Sequence, residues 1–118
     1  MSDFVIYHNP MWGKSRGAVS LLKEKEIEPV VVEYLKTPLN KSQLQDLSLK
    51  LNLRPKAFVR KGEADFKSNN LSAILDDDQA LLEAMSKYPK IMERPIIVSG
   101  DKAVLGRPPE NILTLLGG

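Results

Sequence analysis

The stretch FVIYHNPMWGKSRGAVSLLKEKEIEPVVVEYL, residues 4–35, determines the expected fold of this chain. Two runs, 4–7 and 28–35, are rich in β-branched and aromatic residues, which is typical of short strands. Three consecutive valines in the second run indicate a strand buried on both faces, as in parallel sheets. With a helix between them, the two strands predict a right-handed βαβ unit.

The connecting segment predicts a helix that follows a tight loop. Ala18, Leu21 and Leu22 have helical spacing, and Ser15 is a candidate N-cap. The loop contains Pro and Gly and leads directly into the helix. In α/β proteins this position often holds an anion site or a reactive side chain, because a helix begins with unpaired N–H groups.

The middle of the chain predicts helices. Leu44, Leu47 and Leu51 form an amphipathic pattern, with Asn40 or Ser42 as the cap. A helical turn is expected near 56–60, a second short helix or a loop near 63–69, and a clear helix at 76–88 that ends at Tyr88-Pro89.

The end of the chain predicts a hairpin followed by a helix. Strands are expected at 96–99 and 102–106, joined by a turn, with a last helix within 108–118. The element order is therefore β-α-β, an inserted helical region, then β-β-α. We predict an α/β protein with a mixed four-stranded sheet and a thioredoxin-like fold, in one domain over residues 1–118.

The composition excludes several classes of site. The 118 residues include no cysteine and one histidine, so disulfides, thiolate metal sites and thiol nucleophiles are excluded and no metal site is expected. The net charge of +2 indicates neither nucleic-acid nor membrane binding. No apolar run is long enough to span a bilayer, and no signal peptide is evident, so the expected location is the cytoplasm.

The first loop carries several donors for an anion. Gly13 allows a close backbone approach, and Lys14, Ser15 and Arg16 add donor groups. The alternative is a tight strand-to-helix connection with a solvated basic side. His8 precedes the loop and could tune its electrostatics or carry a proton, although a hydrogen-bonded histidine at a strand end is more common.

Arginines lie at the ends of several expected elements. Arg94 and Arg107 flank the hairpin, whose two outer ends lie side by side, and Arg60 follows a helical turn. Converging guanidinium groups suggest an oxyanion site. The alternative is pairing with the nearby Glu93 and Glu110.

Five segments together resemble the glutaredoxin-coupled arsenate reductase family, ArsC. They are IYHNP followed by KSR, then EYLKTP, AFVRKGE, YPKIMERPIIV and GRPPENIL. The resemblance runs from about Val5 to Leu116. It implies a thioredoxin-like fold with a helical insertion, and a loop cysteine that attacks arsenate, with glutathione and glutaredoxin resolving the adduct.

The resemblance also assigns residues. It implies that Arg60, Arg94 and Arg107 hold the oxyanion, that the bond before Pro95 is cis, and that His8, Ser15 and Arg16 support the loop. The position of the family's cysteine is occupied by Trp12.

The substitution at Trp12 excludes the chemistry of the family. Reduction needs a thiolate that bonds to arsenic and later leaves, and indole offers only one weak N–H donor. We therefore expect a pseudoenzyme that does not use glutathione or glutaredoxin and binds no cofactor. Its expected ligand is arsenate, phosphate or sulfate, with Trp12 placed over an arginine as a cation–π partner.

Two alternatives remain. One is a protein-interaction module like the Spx-like regulators, which bind the C-terminal domain of the RNA polymerase α-subunit, with an exposed Trp12 as the anchor. The other is a reductase-like enzyme of unknown mechanism.

Overall fold

The computed structural model describes residues 4–106 and 108–116, and for Lys14 and Pro109 it describes the backbone only. The strands are β1 Phe4–His8, β2 Val30–Glu33, β3 Ile96–Ser99 and β4 Lys102–Leu105. The α-helices are α1 Gly13–Glu24, α2 Lys41–Leu51, α3 Ala64–Ser68, α4 Asp78–Lys87 and α5 Leu113–Leu116. Short 3₁₀ turns are found at Pro55–Ala57, Leu71–Ile74, Pro89–Ile91 and Pro109–Ile112.

The chain forms two compact units. Unit 1 comprises residues 1–37 and 94–118, and unit 2 comprises residues 38–93. Unit 1 contains the sheet with α1 and α5, while unit 2 is the helical insertion with α2, α3 and α4. The prediction of a single domain over 1–118 stays a prediction.

The sheet of unit 1 has the strand order β2-β1-β3-β4. β1 pairs in parallel with β2, in a register that sets His8 opposite Glu33. β3 pairs antiparallel with both β1 and β4. The βαβ unit, the hairpin and the mixed four-stranded sheet are thereby confirmed.

The second strand differs from its prediction. β2 lies at an edge of the sheet, and Val30 and Val31 are 57% and 46% exposed. The expectation of a strand buried on both faces was therefore wrong. A run of valines favours an extended strand, but its burial depends on which strands flank it, and that is set by the rest of the chain.

The core of unit 1 lies between the sheet and its helices. Its fully buried members come from β1, α1, β3 and the 3₁₀ turn before α5: Ile6, Ala18, Leu22, Ile97 and Ile112. Leu21 is partly buried against the same cluster. The helical spacing read from the sequence therefore marks the correct face of α1.

The start of α1 differs in one respect from the expectation. The N-cap is Trp12, which has extended backbone angles and makes no capping bond with its side chain. Ser15 lies inside the helix and is fully buried, so its prediction as the cap was wrong. Its hydroxyl instead accepts a hydrogen bond of 3.4 Å from the backbone N–H of Asn9.

The structure of unit 2 is built on a well-capped helix. The Asn40 side chain accepts from the Gln43 N–H and the Gln43 side chain accepts from the Asn40 N–H, at 2.8 and 2.9 Å. This reciprocal capping box confirms Asn40 as the cap. Leu44, Leu47 and Leu51 are buried as predicted, and α2 packs on α4.

Gly106 follows β4 and lies tightly against the start of β3. A Cβ at this position would come within 2.7 Å of Ile97 Cδ1 and 2.8 Å of Pro95 Cγ. The Gly106 N–H also donates to the Pro95 carbonyl at 2.8 Å, which fixes the separation of the two segments. No larger residue fits without displacing one of them.

We expect Gly106→Ala to lower the free energy of unfolding by about 1–3 kcal/mol, the usual effect of overpacking. Gly17→Ala is a matched control, because Gly17 lies in α1 with nothing within 4 Å of its Cβ position. The control should stabilise the helix slightly, since alanine is the better helix former. Urea denaturation of both variants measures the difference, and equal midpoints would contradict the packing argument.

Within the described residues, no helix is both long and apolar enough to cross a membrane.

Candidate functional site

The first loop of unit 1 is ordered by Asn9. The carbonyl of this buried residue accepts from the Trp12 N–H at 3.0 Å, and its side-chain Oδ1 accepts from the Met11 N–H at 3.0 Å. The Asn9 N–H bonds to Ser15 as described above. Backbone and side chain of one residue therefore stabilise the turn between β1 and α1.

Asn9 was missed by the residue-level analysis of the sequence. An asparagine directly before a proline is a strong signal for a turn stabilised by its own side chain. That signal was present in the sequence, and it would have identified Asn9 as the residue that shapes the loop.

Trp12 stacks on Arg94. The guanidinium carbon of Arg94 lies 3.8 Å from the centre of the Trp12 ring, well within the range of a cation–π interaction. Arg94 is only 3% exposed, and Trp12 is half-buried. The expectation that Trp12 lies over an arginine is confirmed, and the arginine is Arg94.

Arg16 contacts the same loop from the helix side. Its Nη1 donates a hydrogen bond of 3.0 Å to the carbonyl of Pro10, and the residue itself is exposed. Gly13 begins α1, and a Cβ there would lie at an ordinary contact distance of 3.6 Å from Arg16 Nη2. A positive charge is thus placed at the rim of the loop. The side chain of Lys14 lies outside the described part of the chain.

His8 ends β1 directly before the loop and is 8% exposed. Burial lowers its pKa, the carboxylate of Glu33 on the neighbouring strand raises it, and the positive charge of Arg16 lowers it. Glu33 is the second functional candidate that the sequence analysis missed. Only the strand register, which sets it opposite His8, could reveal this.

The lowered pKa of His8 has a consequence for stability. In the unfolded chain the imidazole has its ordinary pKa of 6.5 and binds a proton more readily than in the folded protein. The stability that neutral His8 contributes is therefore present above that value and is lost as the pH falls through the lowered pKa of the folded state.

We expect the melting temperature to fall as the pH is lowered from about 7 to about 5, partly because of His8. In His8→Gln the fall should be smaller over the same range, because the variant has no imidazole to protonate. Circular dichroism at a series of pH values measures both slopes. Parallel slopes would show that carboxylates alone cause the loss.

Arg60 lies in unit 2 and is held by two carboxylates. Its Nη1 lies 2.8 Å from Glu93 Oε1 and its Nε 3.3 Å from Glu63 Oε1. The side chains are largely buried, and the Arg60 N–H also donates to the Ile91 carbonyl at 2.6 Å. Glu93, which the sequence offers as a possible partner of Arg94, forms an ion pair with Arg60 within unit 2.

Two further sequence predictions concern Pro95 and Arg107. The Arg94–Pro95 peptide bond is cis, the isomer that the family resemblance implied. Arg107 lies outside the described residues, so its proximity to Arg94 stays a prediction. Among the described side chains, no group of three or more His, Cys, Asp or Glu residues could hold a metal ion.

Comparison with known proteins gives consistent matches along nearly the whole chain. The sequence profile of the ArsC family matches residues 7–115. The uncharacterized protein YfgD of Escherichia coli K12 is 44% identical over 113 residues, covering 95% of both chains. The arsenate reductase of Neisseria meningitidis serogroup A is 41% identical over 117 residues, covering 98% of this chain and 100% of its own.

The solved structures agree with the sequence matches. The structure of the arsenate reductase from Vibrio cholerae superposes with a TM-score of 0.89 at 42% identity, covering 94% of this chain and 95% of that one. The α/β fold predicted from the sequence, thioredoxin-like with an ArsC-type arrangement, is thereby confirmed. Family profile, relatives and structure all lead to the same conclusion: the chain belongs to the ArsC family.

Proposed function

We propose that this protein binds a tetrahedral oxyanion, such as arsenate, phosphate or sulfate, at the first loop of unit 1, and that it does not reduce arsenate through a thiol. The observation that carries the proposal is the stacking of Trp12 on the buried Arg94. The aromatic ring thus lies on an arginine that the family resemblance assigns to the oxyanion.

The stacked geometry is compatible with anion binding. A guanidinium group donates its hydrogen bonds in its own plane, whereas a cation–π contact uses the face of that plane. Trp12 can therefore hold Arg94 in one orientation while the edge of the guanidinium donates hydrogen bonds to an oxyanion. Arg16 at the rim of the loop adds a second positive charge.

The absence of a thiol supports the second half of the proposal. The full sequence contains no cysteine, and position 12 is a tryptophan. Neither indole nor the buried hydroxyl of Ser15 can form the arsenic–sulfur bond that glutathione and glutaredoxin would resolve. Use of these two co-substrates is therefore not expected.

The roles of Arg60, Arg107 and Lys14 as oxyanion ligands stay predictions. Arg60 has its charge opposed by Glu63 and Glu93, so an anion would compete with two carboxylates for it. Arg94 and the loop are accordingly the groups that the proposal relies on.

The interaction-module alternative depends on an exposed Trp12. In unit 1 the ring is half-buried and lies on Arg94, while Met11 beside it is 86% exposed. A tryptophan anchor for a partner would have to leave the arginine and lose the cation–π contact. This contact favours oxyanion binding over an anchor role for Trp12.

The test is a titration with sulfate, phosphate and arsenate at constant ionic strength, followed through the intrinsic fluorescence of Trp12. Because Trp12 is the only tryptophan, any change in emission reports on this loop. We expect saturable changes at millimolar anion and a raised melting temperature, because a ligand of the folded state stabilises it. An unchanged spectrum together with an unchanged melting temperature would refute the proposal.

A further inference from the structure

The imidazole of His8 is a buried polar group at the end of β1. It is more than nine-tenths buried, and its Nδ1 has no hydrogen-bond partner among the residues that the structure describes. Buried polar atoms are nearly always paired, because an unpaired one costs about 1–3 kcal/mol. An orphaned ring nitrogen directly before a candidate anion loop therefore requires an explanation.

Burial disfavours a proton on His8, and two charged side chains of opposite sign also act on the ring. Glu33 on β2 attracts a proton to the ring, while Arg16 on α1 repels it. Arg94 lies just before β3, the strand that pairs with β1 on its other side, and adds a further positive charge to unit 1. A proton on His8 would thus be a buried charge, and Glu33 is the carboxylate that offsets it among the described residues.

We infer that His8 is the proton-accepting group of the loop, so that binding of an oxyanion is accompanied by uptake of one proton from solvent on the imidazole. This inference rests on the proposed function. Burial is the main reason that the ring stays neutral, and an anion at the loop would offset the additional repulsion from Arg16. A protonated imidazole donates from both nitrogens, so Nδ1 then carries a hydrogen to offer.

The coupling works in both directions. A bound anion favours the protonated ring, and a protonated ring favours the anion by the same factor. Affinity for an anion of constant charge should therefore increase as the pH falls. Burial disfavours the charged ring when no anion is bound. The size of the coupling is the difference in the proton affinity of His8 between the anion-bound and the free protein.

The experiment uses sulfate, which keeps its double negative charge near neutrality, whereas phosphate and arsenate gain a proton there. Sulfate binding is measured by calorimetry at about pH 5.5 and about pH 8, the range in which histidine titrates. We expect severalfold tighter binding at the lower pH, with about tenfold as the upper limit for a histidine whose pKa rises by about one unit beside an anion. Calorimetry in buffers of different ionisation enthalpy counts the protons taken up.

A second measurement begins with the native sequence and is then repeated on one variant. His8 is the only histidine, so its ring gives one set of proton NMR signals, whose pH titration is followed with and without sulfate. Saturating sulfate should shift the titration midpoint to higher pH. In Glu33→Gln both midpoints should move to lower pH, because the carboxylate that favours the charged ring is gone.

The outcomes separate the inference from the proposed function. Sulfate binding that is independent of pH, with an unmoved His8 titration, would overturn the proton coupling and leave oxyanion binding intact. Sulfate binding that stays pH-dependent in His8→Gln would assign the proton to another group. Absence of sulfate binding at both pH values would refute the proposed function itself. If His8→Gln does not fold, the NMR titration of the native chain decides.

Discussion

Trp12→Cys should give this chain arsenate reductase activity in the presence of glutathione and glutaredoxin, while the native chain stays at the background rate. The substitution introduces the missing nucleophile at a loop that is already shaped by Asn9. Loss of the nucleophile of a serine protease costs about 10⁶ in rate, so a gain on the order of 10³ or more is expected here.

The environment of position 12 should make an introduced thiol reactive. The residue is the N-cap of α1, a twelve-residue helix whose first N–H groups favour a negative charge. The Arg94 guanidinium now lies 3.8 Å from the indole ring, so the side chain at position 12 extends toward a positive charge. Both features lower the pKa of a thiol at this place and favour the reactive thiolate.

The measurement couples arsenate reduction to oxidation of NADPH through glutathione reductase. Trp12→Ser is the matched control, because it has the same small size and no thiol, and it should be as inactive as the native chain. Alkylation with iodoacetamide over a pH series gives the pKa of the single thiol in Trp12→Cys. A thiol of lowered pKa without arsenate turnover would show that the rest of the loop no longer supports the reaction.

The fold was largely predictable because its signals are local. The apolar runs, the helical spacing of α1 and α2, and the turn before β4 each lie within one segment of the chain. Asn40 and Gln43 are three residues apart, so the capping box is visible in the sequence. The edge position of β2 is different, because it depends on where β3 inserts, and β3 lies some sixty residues later.

The site was less predictable, because its contacts join distant segments. The sequence marked Arg60 as an element-end arginine, but the approach of Glu93 depends on how two remote segments of unit 2 pair. Ser15 was read as a cap from its residue type, yet the helix begins two residues earlier, at Gly13. The stacking of Trp12 on an arginine was predicted only through the family resemblance.

Arg94→Gln should mainly weaken the binding of sulfate, whereas Arg60→Gln should mainly lower the stability of the protein. For Arg94→Gln, we expect the affinity for sulfate to fall about 30-fold, since a hydrogen bond to a charged group contributes about 1.5–3 kcal/mol. For Arg60→Gln, we expect a change of less than about threefold, because Glu63 and Glu93 already oppose its charge.

The effect of Arg60→Gln on stability follows from the ion pairs that the substitution removes. Arg60→Gln removes two ion pairs from largely buried side chains and should lower the free energy of unfolding by about 1–2 kcal/mol.

Arg94→Lys is the matched control at the other position. It keeps the charge but loses the flat face that Trp12 covers, so an affinity between those of Arg94→Gln and the native chain is expected.

Calorimetry is the appropriate readout, because changes at Arg94 alter the surroundings of Trp12 and therefore its fluorescence even without ligand. Urea denaturation measures the stability of each variant under the same buffer conditions. If Arg60→Gln loses as much sulfate affinity as Arg94→Gln, then Arg60 leaves its two carboxylates to bind the anion. In that case the two ion pairs of Arg60 open when sulfate binds, and the prediction that Arg94 dominates the binding of the anion is wrong.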